Sequence, residues 1–143
     1  MILVDANILL YACNAAADLH VESRDWLDEK LNGTARVGLP WSSLLAFLRI
    51  ATNPRVFRSP LTMAMAWEQV SSWLSAETAW APEPTERHAA VLGNLLALPG
   101  VHGNLVPDAN LAALAIEHGL TLCSTDGDFA RFPGLAWLNP LTA

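Results

Sequence analysis

The chain has 143 residues, a hydrophobic fraction of 52%, a charged fraction of only 15% and a formal net charge of −6. That length suits one domain over residues 1–143 with a sizeable core, and the apolar content excludes disorder. The acidity argues against non-specific nucleic-acid binding by the whole surface. No apolar run approaches a membrane span, and Cys13 and Cys123 are too few for a disulfide framework. With Met1 leading straight into a strand, no secretory leader is expected, and a reduced, cytoplasmic compartment is the simplest expectation.

Met1-Ile2-Leu3-Val4 is an uninterrupted apolar run that ends in Asp5, as suits a parallel strand buried on both faces. Asp5 would sit at the strand's C-terminal end, where open α/β sheets bind ligands. Asn7 and a helix from Ile8 follow at once. Asp18 is expected to cap a second helix, striped by Leu19, Trp26, Leu27 and Leu31 and ended by Gly33. Ala35 to Leu39 reads as a short strand closed by Pro40. A helix from Ser42 or Ser43 to Ala51 is apolar nearly all round, which predicts burial. Thr52-Asn53-Pro54 stops it. Arg49, Arg55 and Arg58 cluster here, three of the eight basic residues.

Ser59-Pro60 reads as a cap with proline in the first helical position. The following helix carries Met63, Trp67, Val70 and Leu74 at helical spacing, a stripe suited to the core and also to a protein interface. Thr78 to Ala81 predicts a strand, cut off by Pro82 and Pro84. Thr85 is expected to cap a helix through Leu96. His88 and His102 lack ligand-spaced neighbours and read as structural or surface residues. Val106-Pro107-Asp108-Ala109 opens a helix that Gly119 ends in a left-handed conformation. Thr121 to Ser124 is a strand, followed by Thr125-Asp126-Gly127-Asp128-Phe129, and Leu135 to Leu138 is a last strand. Alternating strands and helices predict a parallel sheet with helices on both faces, an α/β fold.

Two of these strands end in carboxylates, and the helix between them begins with another. If the two strands are neighbours, Asp5, Asp108 and Asp126 converge at one end of the sheet, with Asp128 close behind. Each has a plain structural role too: Asp5 as an N-cap, Asp108 against a helix dipole, Asp126 in a turn. Packed carboxylates repel, and a hard divalent cation removes that cost. All-oxygen ligands suit Mg²⁺ or Mn²⁺, and the lack of a Cys/His cluster argues against zinc. Such a site activates water and stabilises an in-line phosphoryl displacement.

Five short motifs, in order, carry a family resemblance: Val4-Asp5-Ala6-Asn7; Pro40-Trp41 through Leu48-Arg49-Ile50; Thr52-Asn53-Pro54-Arg55-Val56-Phe57; Gly103-Asn104-Leu105-Val106-Pro107-Asp108-Ala109; and Ser124-Thr125-Asp126-Gly127-Asp128-Phe129. The chain resembles a PIN domain, and more narrowly the VapC toxins of type II toxin–antitoxin modules. The resemblance implies a three-layer α/β/α sandwich with a parallel sheet ordered 3-2-1-4-5. It implies a Mg²⁺-dependent endoribonuclease, commonly a homodimer, held inactive by a VapB-type antitoxin. Asp5 and Asp108 would be the principal metal ligands, with Asp126 and Asp128 completing the acidic cluster and Asp5, Asp108 and Asp126 as the catalytic residues.

The sequence departs from the family pattern at Ala46, where a glutamate is usual; no acidic residue occurs between Glu29 and Glu68. A catalytically weak PIN domain that binds RNA or an antitoxin is therefore the alternative. Phosphatases and receiver domains with a strand-end aspartate also need a lysine near the phosphate, and the only lysine is Lys30. Arg49, Arg55 and Arg58 are the candidate RNA contacts. Exposed apolar residues are expected on the first helices and on the Met63–Leu74 helix, facing a partner.

Overall fold

A computed structural model describes residues 1–142. Five strands form one parallel sheet: β1 (Ile2–Val4), β2 (Val37–Gly38), β3 (Ala79–Trp80), β4 (Thr121–Cys123) and β5 (Trp137–Leu138), ordered β3-β2-β1-β4-β5. The central strand β1 pairs Ile2 with Val37 on one side and Leu3 with Leu122 on the other. Strand order reverses its direction of growth between β1 and β4, which makes their C-terminal ends the topological switch point.

Side-chain alternation along these short strands divides the core in two. Val4, Val37, Leu39 and Cys123 point to one face, where they meet α1 (Ala6–Cys13), α2 (His20–Leu31), α3 (Trp41–Ala51) and α4 (Met63–Leu74). Leu3 and Leu122 point to the other, against α5 (His88–Leu96) and α6 (Leu105–His118). The expected three-layer sandwich is therefore present. Gly38 permits the β2–β3 edge to close: a Cβ there would lie 3.0 Å from the Pro82 ring and 3.1 Å from the Ile2 carbonyl.

Helix starts differ from the sequence expectations. Asp18 does not cap α2; Leu19 occupies the N-cap position with no side-chain hydrogen bond, and Asn32 rather than Gly33 ends the helix. The helix start falls where His20 Nδ1 meets the Tyr11 carbonyl at 2.9 Å, so packing on α1 overrides the local capping signal. α3 begins at Trp41, directly after Pro40, and it is amphipathic rather than buried all round: Trp41, Leu45 and Arg49 lie exposed on one side. Thr62, not Ser59-Pro60, caps α4 by accepting from Met65 N. On α4 the core residues are Ala66, Val70 and Trp73, while Met63, Met65 and Trp67 are about half exposed. Thr85 makes a turn before α5 instead of capping it, with Arg87 in the N-cap position. Gly119 ends α6 with φ of +66°, as its position predicts. Among the described residues no helix is long and apolar enough to cross a membrane.

Candidate active site

The site is built from the neighbouring ends of β1 and β4. Their register sets Val4 against Cys123, so the next residues, Asp5 and Ser124, stand side by side. Asp5 N–H donates to the Cys123 carbonyl at 3.0 Å. One carboxylate oxygen of Asp5 accepts from Ala6 N–H at 2.8 Å and caps α1; the other accepts from Ser124 Oγ at 2.7 Å. Capping and site roles thus coincide in one side chain. Ser124 is fully buried, and its hydroxyl also accepts from Asn7 Nδ2 and from Asp126 N–H, each at 3.0 Å. This hydroxyl ties α1, β1 and the turn after β4 together. Asn7 Oδ1 is buried with no partner among the described residues.

Asp126 caps a 3₁₀ helix over Gly127–Arg131, its Oδ1 accepting from Asp128 N–H at 2.9 Å. That helix lies beyond what the turn-like sequence predicts. Asp108 lies in the first turn of α6. Asp108, Asp126 and Asp128 each bring a carboxylate oxygen within 4.8 Å of the others. Asp5 falls outside this three-way group but acts on it electrostatically. Burial chiefly, then the charges of Asp126, Asp5 and Asp128, push the Asp108 carboxyl up to about 6, and Arg131 opposes them. Burial also raises Asp5, against the hydrogen bonds from Ser124 and Ala6, and Asp126 adds to the rise. Carboxylates that resist ionisation together form a donor set of hard oxygens suited to a divalent cation.

Arg131 is the cation whose charge acts on Asp108. Its Nη2 lies 3.3 Å from Asp128 Oδ1, and its Nε donates to the Asp128 carbonyl at 3.2 Å. Sequence reasoning missed it, although the Asp128–Arg131 spacing of three is itself a pairing signal. Ser124 was also missed, although it follows once β1 and β4 are taken as neighbours.

The candidate RNA contacts Arg49, Arg55 and Arg58 are exposed, and none forms an ion pair among the described residues. Asn53 Oδ1 accepts from Arg55 N–H at 2.9 Å and fixes the turn after α3. Val56 and Phe57 in that turn wall a cavity of about 180 Å³ together with Asn7, which links the arginine loop to the strand-end hydroxyl. Ala46 is partly buried on α3 and offers no ligand oxygen. His102 is exposed, whereas His88 is engaged by Glu117 and Asn110 rather than isolated.

The family model described as PIN domain matches residues 2–135. Ribonuclease VapC37 of Mycobacterium tuberculosis is 48% identical over 98% of this chain and 97% of its own length. Ribonuclease VapC43 of the same species is 40% identical over 99% and 96%. Among solved structures, FitAcB of Neisseria gonorrhoeae aligns with a TM-score of 0.69 at 22% identity, covering 98% of each chain. M. tuberculosis VapC20, described as a sarcin–ricin loop cleaving toxin, aligns with a TM-score of 0.68 at 17% identity over 95% of this chain and 99% of that one.

Proposed function

The chain belongs to the PIN-domain family, among the VapC ribonucleases, and from that premise we propose that it is the endoribonuclease toxin of a type II toxin–antitoxin module. The observation that carries this reading is the group of carboxylates from Asp108, Asp126 and Asp128 beside Asp5 at the sheet's switch point. Their chemistry fits a divalent cation, with Mg²⁺ the expected ion and Mn²⁺ a substitute. When bound, such an ion lowers the pKa of water and stabilises charge on a phosphoryl group.

The protein's own residues do the rest. Asp5 is oriented through Ser124 and the first amide of α1, which leaves lone pairs of both oxygens for a ligand. Asp108 and Asp126 are the partners proposed to hold the ion and position the attacking water, with Asp128 at the rim. Arg49, Arg55 and Arg58 are proposed to hold the RNA backbone, since all three are exposed and without ion-pair partners among the described residues. A VapB-type antitoxin is the expected partner. Half-exposed Met63, Met65 and Trp67 support contact of α4 with an antitoxin or with a second copy in a homodimer.

Cleavage of a labelled RNA, with and without Mg²⁺, tests this reading. Wild-type protein should cut only with the ion present, and Asp108→Asn should lose at least about a hundredfold in rate, in line with the loss of a key electrostatic group. Equal cleavage by both proteins would refute the site. Retained RNA affinity without any cleavage by wild type would favour the binding-module alternative that Ala46 supports.

A further inference from the structure

A second concave site lies on another face of α6. Asn110 follows Asp108 by two residues, so it stands about 3 Å further along the axis and faces another side of the helix. It walls a cavity of about 180 Å³ together with Trp41 at the start of α3, Pro82 and Pro84 after β3, Glu83 between them, and His88. Trp41 and the prolines follow the C-terminal ends of β2 and β3. The cavity therefore opens on the same sheet edge as the acidic crevice.

Its polar wall is held by a buried relay. The Glu117 side chain is wholly buried; it accepts from Thr85 N–H at 2.7 Å and Thr85 Oγ at 2.8 Å, and it pairs with His88 Nδ1. Burial alone would push Glu117 up, yet the hydrogen bonds from Thr85 and His88 outweigh it and hold the carboxyl below the usual range. His88 Nε2 meets Asn110 Oδ1 at 2.9 Å. The ring thus bridges the Glu117 carboxylate and the Asn110 amide oxygen. The Asn110 NH₂ group is thereby left without a protein partner among the described residues.

Fold stability alone is a weak reason for such a relay, because a buried polar network rarely improves on apolar packing. What it secures is one oriented amide donor against walls of indole and proline rings, with the Glu83 acceptor beside them. Flat apolar walls and a fixed amide are the features by which proteins hold an unstacked nucleobase and read its edge. We propose that this cavity binds a splayed-out RNA base next to the bond cut at the acidic cluster, with Asn110 and Trp41 as the residues that set sequence preference. The inference rests on the ribonuclease reading for its consequence, but base binding is measurable without cleavage.

The test uses the full chain, without divalent metal, and the four uncharged ribonucleosides, which carry no phosphate for a metal site. In two-dimensional NMR at least one nucleoside should shift the Asn110 side-chain amide and the Trp41 indole. Asn110→Ala should weaken that binding at least about tenfold, while Asp108→Asn leaves it in place; Trp41→Phe serves where Trp41→Ala fails to fold. In a pool of randomised RNA, Asn110→Ala should relax base preference at one position near the cut by about tenfold with metal affinity unchanged. No shift with any of the four nucleosides, or an unchanged base preference in Asn110→Ala, would overturn the proposal. Nucleoside binding in a protein that cuts no RNA would leave the cavity standing and remove the ribonuclease reading instead.

Discussion

Ser124 carries an unusual share of the site for one hydroxyl. It donates to Asp5 and accepts from Asn7 and from the Asp126 amide, and its own side chain is fully buried. Ser124→Ala would leave these groups unpaired, so a loss of about 1–3 kcal/mol in urea denaturation is expected; a change below about 0.5 kcal/mol would mean that the network re-forms without it. Asp108 makes the pH prediction. Its carboxyl is raised from 3.8 to about 6 in the fold, chiefly by burial. The folded state therefore binds the proton more tightly than the unfolded chain. Stability contributed by this group is fully present below pH 3.8 and is lost as pH rises through about 6. Asp5 adds in the same direction. Apo wild-type protein should lose stability across that window relative to Asp108→Asn, whose profile should be flatter. Parallel profiles would show that Asp108 titrates as a free carboxylate.

At the level of elements, glycines give the sharpest expectations. Gly119→Ala forces a left-handed residue at the end of α6 and should cost about 1–2 kcal/mol. Gly38→Ala should cost more, because its Cβ would meet both the Pro82 ring and the Ile2 carbonyl; thermal melts of the two variants measure the order. Gly119 was legible in the sequence because a glycine followed the last apolar turn. Gly38 was not, because its constraint comes from a proline that is distant in sequence. The same division holds for the helices. β1, β4 and α6 were readable from local runs and so fixed where Asp5, Asp108 and Asp126 lie. The starts of α2 and α5 were misread at Asp18 and Thr85, where tertiary contacts decide, and that of α4 at Ser59, where Thr62 supplies the local cap instead. Thr85 turned out to bond Glu117, 32 positions away. The base cavity was invisible for that reason: His88 gained its partners only when α5 packed on α6. Position 46 offers a gain-of-function check. Ala46→Glu in an Arg49→Ala background should tighten Mn²⁺ binding by supplying a further hard oxygen. Unchanged affinity would mean that Ala46 faces the core instead of the crevice.

For the molecule as a whole, an acidic chain that handles RNA must localise its positive charge and neutralise its acidic centre. The net charge of −6 makes the whole surface repel a polyanion. Removing Arg55 and Arg58 together should therefore weaken RNA binding and reduce the slope of affinity against salt; an unchanged slope would exclude them from the RNA path. The repelling carboxylates, in turn, should make the fold respond to divalent ions by mass action, with about 2.7 kcal/mol of stabilisation expected at a hundredfold excess over Kd. The metal-dependent expectations require an ion seated at the edge shared by β1 and β4. Crystals soaked in Mn²⁺ and measured at the manganese edge locate it directly. The account predicts an anomalous peak among the carboxylates of Asp108, Asp126 and Asp128, within reach of Asp5. Manganese bound elsewhere on the protein, with none at these side chains, would contradict it.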